Sequence, residues 1–143
     1  MIDFQRMRIL IRDEERLRWA VIREEAKATK ITTSLSKSGG GGKGRTSSKV
    51  EDGAIALAIL KSGYQQTANE LEKMRSELRK RLRGLTGLEK SVIRMRYIEG
   101  MSCADIALKI HYDKCYMHHV VRRAEIKVNK RRKHDQEDSN SRQ

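Results

Sequence analysis

The chain contains no proline in 143 residues, where average usage of about 5% would supply roughly seven. Aromatic residues are scarce at 4%, with one tryptophan, four tyrosines and one phenylalanine, and there are two cysteines. Each shortage excludes something. Without proline, collagen-like and proline-rich fibres are out. A large mixed-sheet enzyme needs many turns and a sizeable apolar core, and neither is provided for. No apolar run approaches the ~20 residues that span a bilayer, so no membrane partner is expected. The start, Met1-Ile2-Asp3-Phe4-Gln5-Arg6-Met7-Arg8, carries charge through its apolar stretch and does not read as a secretory signal. Two cysteines without such a signal point to a reducing, cytoplasmic setting and not to a disulfide.

What is abundant is positive charge. Lys and Arg number 32 against 19 Asp and Glu, a formal charge of +13. A charge this high points to a polyanionic partner. It is unevenly spread: residues 36–49 carry +4 and residues 85–133 carry +7, while the tail 134–143 carries −2.

The pattern is all-α. Met7, Leu10, Glu14, Leu17, Val21, Glu24, Ala28, Ile31 and Leu35 form a stripe at near-heptad spacing. Two glutamates break the seam, and Ile9, Ile11, Trp19 and Ile22 widen it as in a bundle helix. Residues 36–49 read as a flexible Gly/Ser loop, with glycines at 39–42 and 44. It is not a phosphate-cradling loop, because Lys43 is followed by Gly44 instead of Ser or Thr and no strand precedes it. A second helix is expected over 49–85, with Ser47 or Ser48 as its cap. Its stripe is Val50, Ala54, Leu57, Lys61, Tyr64, Ala68, Leu71, Arg75, Leu78, Leu82 and Leu85. Two such helices predict an antiparallel, coiled-coil-like hairpin over residues 1–84. Pairing within one chain is the expectation. Pairing with a second copy, a dimer first, is the alternative.

From Thr86 the punctuation sharpens. Thr86-Gly87-Leu88-Glu89 is a capping box that starts a helix ending at Glu99-Gly100. Ser102, with Asp105 three residues on, caps a second helix that buries Ile106, Ala107 and Ile110. His111-Tyr112 forms a tight turn, and Asp113 caps a third helix to about Lys130, with Met117, Val120, Val121, Ala124 and Val128 inward. A short helix, a tight turn and a basic helix make a helix-turn-helix over 85–133, followed by a tail, 134–143, expected to be disordered. The second helix of such a pair enters the major groove with its N-terminal half. Lys114, Cys115, Tyr116, His118, His119 and Arg122 face outward there, and Lys, His and Arg donate to base acceptors or phosphates. Arg123, Lys127, Lys130, Arg131, Arg132 and Lys133 extend the basic surface and would add affinity through counterion release.

The run Leu88 to Ser102, with Asp105-Ile106-Ala107 and Val121-Arg122-Arg123-Ala124, resembles sigma-70 region 4 over about a third of the chain. With no sigma region 2 before it, the whole resembles a family of small phage-encoded sigma-like regulators. Tyr112, Tyr116, His118 and Arg123-Ala124 match that family's pattern, while His111 stands where its turn glycine would be. The resemblance implies a DNA-binding transcription regulator in the bacterial host cytoplasm, with double-stranded DNA as partner and RNA polymerase as a further candidate. It places Lys114, Cys115, His118 and His119 at base- and phosphate-contacting positions.

Three rival readings are weaker. Cys103, His111, Cys115, His118 and His119 suggest zinc, but the two cysteines are twelve apart where structural sites use a close pair. No metal, cofactor or catalytic constellation is assigned, and the chain does not read as an enzyme. A membrane-surface helix explains the basic end less well than packing in the helix-turn-helix. A DNA-packaging adaptor like a small terminase subunit, or a polymerase- or sigma-binding protein without its own DNA site, remains the alternative function.

Overall fold

A computed structural model describes residues 1–37 and 46–140 of the chain, with side chains over 1–30 and 50–130. The fold is all-α, with no strand among the described residues. Helix α1 spans Phe4–Lys37, α2 Thr46–Arg81, α3 Gly87–Ile93, α4 Cys103–Ile110 and α5 Lys114–Asn140. A 3-10 turn, Leu82–Gly84, follows α2, and a π-helical turn, Arg94–Ile98, extends α3.

The long helices begin and end for local reasons. Asp3 caps α1 by accepting the Arg6 N–H at 2.8 Å. Helix α2 starts at Thr46, so Ser47 and Ser48 lie inside it and do not cap it. The expected loop over 36–49 is correspondingly shorter, since Ser36 and Lys37 also belong to α1. Its glycines sit at 39–42 and 44, and residues 46–49 hold nothing that breaks a helix. The rest of that loop, 38–45, lies outside the described residues. At the other end α5 runs on to Asn140, so the disordered tail expected from 134 is helical as far as 140, and 141–143 lie outside the described residues. No proline or glycine interrupts 130–140, which leaves the helix free to propagate.

The compact units do not divide at 84/85. One comprises Met1–Ile11 with Leu71–Gln143, the other Arg12–Glu70. The cause is the apolar core of the first unit. Ile2, Phe4, Met7 and Leu10 from α1 and the segment before it join Leu71, Leu78, Leu82 and Leu85. All of them share one cluster with Val92, Ile93, Met95, Tyr97, Ile106, Met117 and Val128. A module of about 45 residues starting at 85 is near the lower size limit for a core of its own, and the residues before it supply seven of the twenty buried apolar side chains.

Within Arg12–Glu70 the helix pair is an open one. No described side chain there is buried. Glu14, Leu17, Val21 and Glu24 of α1 and Leu57, Leu60, Tyr64 and Thr67 of α2 are half-buried, and Glu25 meets Lys61 at 2.8 Å. Two helices side by side cover one narrow stripe each. Hence Trp19 and Ile22 do not widen the seam but stay exposed, as do Val50, Ala54 and Lys61 of the expected α2 stripe.

Candidate nucleic-acid interface

The candidate region is built by three capped helices. Thr86 Oγ1 accepts the Glu89 N–H at 3.4 Å, and the Glu89 carboxylate accepts the Thr86 N–H at 3.1 Å. That reciprocal box fixes the start of α3. The apolar run Val92-Ile93-x-Met95-x-Tyr97-Ile98 is too broad for one face of an α-helix. The π turn absorbs one residue, with the Glu99 N–H reaching back to Arg94 C=O at 3.0 Å, and Met95 and Tyr97 are buried. Carbonyls freed at its end are taken up by side chains: Arg75 Nε donates to Tyr97 C=O at 3.1 Å and Arg96 Nη1 to Met101 C=O at 2.8 Å. Gly100 has φ of 76°, the left-handed value that ends the turn.

Ser102 and Asp105 repeat the box at the start of α4, with reciprocal contacts of 3.1 and 3.2 Å. His111 then takes the left-handed conformation, φ 57° and ψ 44°, and the Tyr112 N–H closes onto Ala107 C=O at 3.0 Å. A non-glycine there is strained, although histidine is among the residues that tolerate it. The reversal leaves Asp113 to cap α5, accepting the N–H groups of Cys115 and Tyr116 at 2.8 and 3.1 Å.

Helix α5 packs on α3 and α4. It does so through Met117, Val120, Val121, Ala124 and Val128, all buried. Lys114, Cys115, Tyr116, His118, His119, Arg122, Arg123, Lys127 and Lys130 are each exposed. Arg131 lies in α5 but its side chain is outside the described residues. From Lys114 to Ala124 the helix carries no carboxylate. At the mouth of the turn Tyr112 and Tyr116 stack, ring centroids 5.5 Å apart and planes 24° from parallel, both about half exposed. Cys103 is buried and Cys115 is exposed.

The sequence-derived site residues are not equivalent. Lys127 Nζ bonds Glu89 Oε1 at 2.6 Å, and that carboxylate is buried at the junction of α3 and α5. The Lys127 bond holds the Glu89 carboxyl below its ordinary range, against the opposing effect of burial and with help from the Thr86 backbone and hydroxyl. Lys127 thus fastens α5 to α3, whereas Lys114, His118, His119 and Arg122 have no such inward bond among the described residues.

A second constellation was not anticipated. Arg8 Nη1 donates to the Tyr97 hydroxyl at 2.8 Å and to Glu125 Oε1 at 3.0 Å, and the Tyr97 hydroxyl donates to the same carboxylate. Burial, followed by the Glu125 bond, raises the Tyr97 pKa well above its ordinary value, so the phenol stays protonated. The Asn129 side chain reads both polar groups of Ile2, accepting its N–H at 2.9 Å and donating to its C=O at 3.1 Å. Tyr97 and Glu125 are 28 positions apart, and the partners of Arg8 and Ile2 lie 89 to 127 positions away in the chain. No spacing or composition signal connects residues so distant.

Among the described residues no helix is long and apolar enough to cross a membrane. No family model, curated protein or solved structure matches the chain.

Proposed function

We propose that this protein is a sequence-specific transcription regulator of phage or mobile-element type that reads duplex DNA. In this reading α4, the turn 111–113 and α5 are a helix-turn-helix, with α5 as recognition helix. The observation that carries it is the outward side of α5: a carboxylate-free stretch from Lys114 to Ala124 whose Lys, His and Arg side chains are exposed on a buried apolar footing. Arg and Lys fit the acceptor edge of guanine, histidine and tyrosine donate to bases or phosphates, and the positive field draws the polyanion. The likeness to sigma-70 region 4 and to the small phage sigma-like regulators supports the same assignment. Selection of bound duplexes from a random library tests it, the expected result being a single consensus. Arg122→Ala and His119→Ala should then lose the specific footprint while the fold stays intact. Unchanged footprints for both would remove α5 as the reading element.

A second reading, a packaging or structural adaptor that assembles through its helices, draws support from the exposed part of α2. Residues 54–60 are uninterrupted Ala, Ile and Leu, and Ile55 and Ile59 are 60% and 67% exposed. A helix apolar all round is normally covered, and a second copy is the cover we favour. Light scattering separates the readings: a large ring favours the adaptor, a monomer or dimer the regulator. Capture of the polymerase β-flap without DNA would instead favour a polymerase-binding role.

A further inference from the structure

We propose that the first ten residues form an arm that sets the aim of α5, with Asn129 and Arg8 as the positioning residues. The inference rests on the DNA-binding reading of α5 and deepens it. The packing of α5 on α3 and α4 is mostly apolar, through Met117, Val120, Val121, Ala124 and Val128, with the Lys127–Glu89 bond as one directional tie to α3. Apolar contact is non-directional, so it holds the helix down without fixing its slide or its rotation. Directional bonds do that, and beside the Lys127–Glu89 tie three of them reach α5 from the arm, two at Asn129 and one at Glu125.

Three residues one turn apart, Arg122, Glu125 and Asn129, line an open groove on α5 whose other wall is Met1, Ile2, Asp3 and Phe4. Asn129 grips Ile2 through both of its polar main-chain groups, at 2.9 and 3.1 Å. A side-chain amide, having donor and acceptor side by side, can make that pair of bonds. Ile2 and Phe4 are buried beside it, and the Phe4 ring lies 4.9 Å from that of Tyr97. One turn up α5, Glu125 is held by Arg8 and by the Tyr97 hydroxyl. Within the arm Asp3 caps α1, so the residue next to Ile2 is tied to the first turn of that helix. The next turn toward the start of α5 is Arg122, a residue assigned to base contact. The arm therefore anchors the C-terminal half of α5 and leaves Lys114 to His119 clear for the groove.

The arm variants Asn129→Ala and Arg8→Met test this in the full-length protein, against a selected duplex and a random duplex over a salt series. The expected result is about a tenfold loss for the selected duplex. Affinity for the random duplex and the salt slope should stay unchanged, because no phosphate contact is removed. Asn129→Asp, which keeps the acceptor for the Ile2 N–H but loses the donor, should fall between. A purely structural role would lower the melting temperature and leave the ratio of the two affinities alone, and that outcome for both arm variants overturns the proposal. If wild-type protein selects no duplex at all, the DNA-binding reading fails first and the positioning role falls with it. If wild-type protein selects a site and both arm variants keep the ratio, the arm alone is refuted.

Discussion

His111 holds a backbone conformation that a side chain resists, at φ 57° and ψ 44°. Replacing it with glycine removes the Cβ clash that makes the left-handed region unfavourable, worth about 1 kcal/mol. His111→Gly should raise the thermal midpoint by a few degrees in a calorimetric scan. Lys127 and Lys130 look alike in the sequence but should behave oppositely. Lys127→Ala strips the buried Glu89 carboxylate of its charged partner and should cost about 1 kcal/mol of stability. Lys130→Ala should leave the melting curve in place and lower the slope of log affinity against log salt by roughly one. Glu89 also sets an acid sensitivity. Its carboxyl sits below the ordinary 4.5 when folded. Its contribution to stability is therefore full above 4.5 and is lost as pH falls through the lowered value. Glu89→Gln should flatten that acid limb in pH-dependent melts. Glu72, held low by its bond to Arg79 on the surface, keeps a residual slope.

At the scale of elements, the short helices are the most legible part of the chain. Thr86 with Glu89, Ser102 with Asp105, Gly100 and Asp113 each announce a boundary within four residues, and each boundary stands where they put it. Capping is local chemistry between a side chain and the nearest free N–H groups, so short-range sequence suffices for it. Thr86→Ala should cost about 1 kcal/mol and show first as faster amide exchange over residues 87–90. The π turn at Arg94–Ile98 was not legible, because it arises where an apolar run must meet a core laid down by other helices. The buried row of α2 was only partly so. Leu57, Tyr64, Leu71 and Leu78 sit inward as their spacing predicts, but Val50, Ala54 and Lys61 face out.

At the scale of the molecule, the C-terminal helices and the chain's first residues are one folding unit. A fragment of residues 85–143 would lack Ile2, Phe4, Met7, Leu10, Leu71, Leu78 and Leu82 from the core. Burying such side chains contributes about 1.5–3 kcal/mol each, so the seven together are as large as the about 5–15 kcal/mol by which a domain is stable. The fragment should show no cooperative thermal transition by circular dichroism, and the full chain should show one. A cooperative transition in the fragment would mean that α3 to α5 form a core of their own.

The amino-acid sequence by itself determined the helical class, the capped helix starts from Thr86 onward with the stop at Gly100, and the basic, carboxylate-free stretch from Lys114 to Ala124 of α5. All three depend on neighbours within a turn or two, where dihedral preference, capping and 3.6-residue periodicity act. The tertiary structure decided which segments share a core, that Lys127 faces a buried carboxylate, and that Ile2 and Arg8 grip α5 through Asn129 and Glu125. Those contacts join residues up to 127 positions apart. Apolar surface is interchangeable until the chain has folded, and an asparagine on a helix carries no mark of the backbone it will meet.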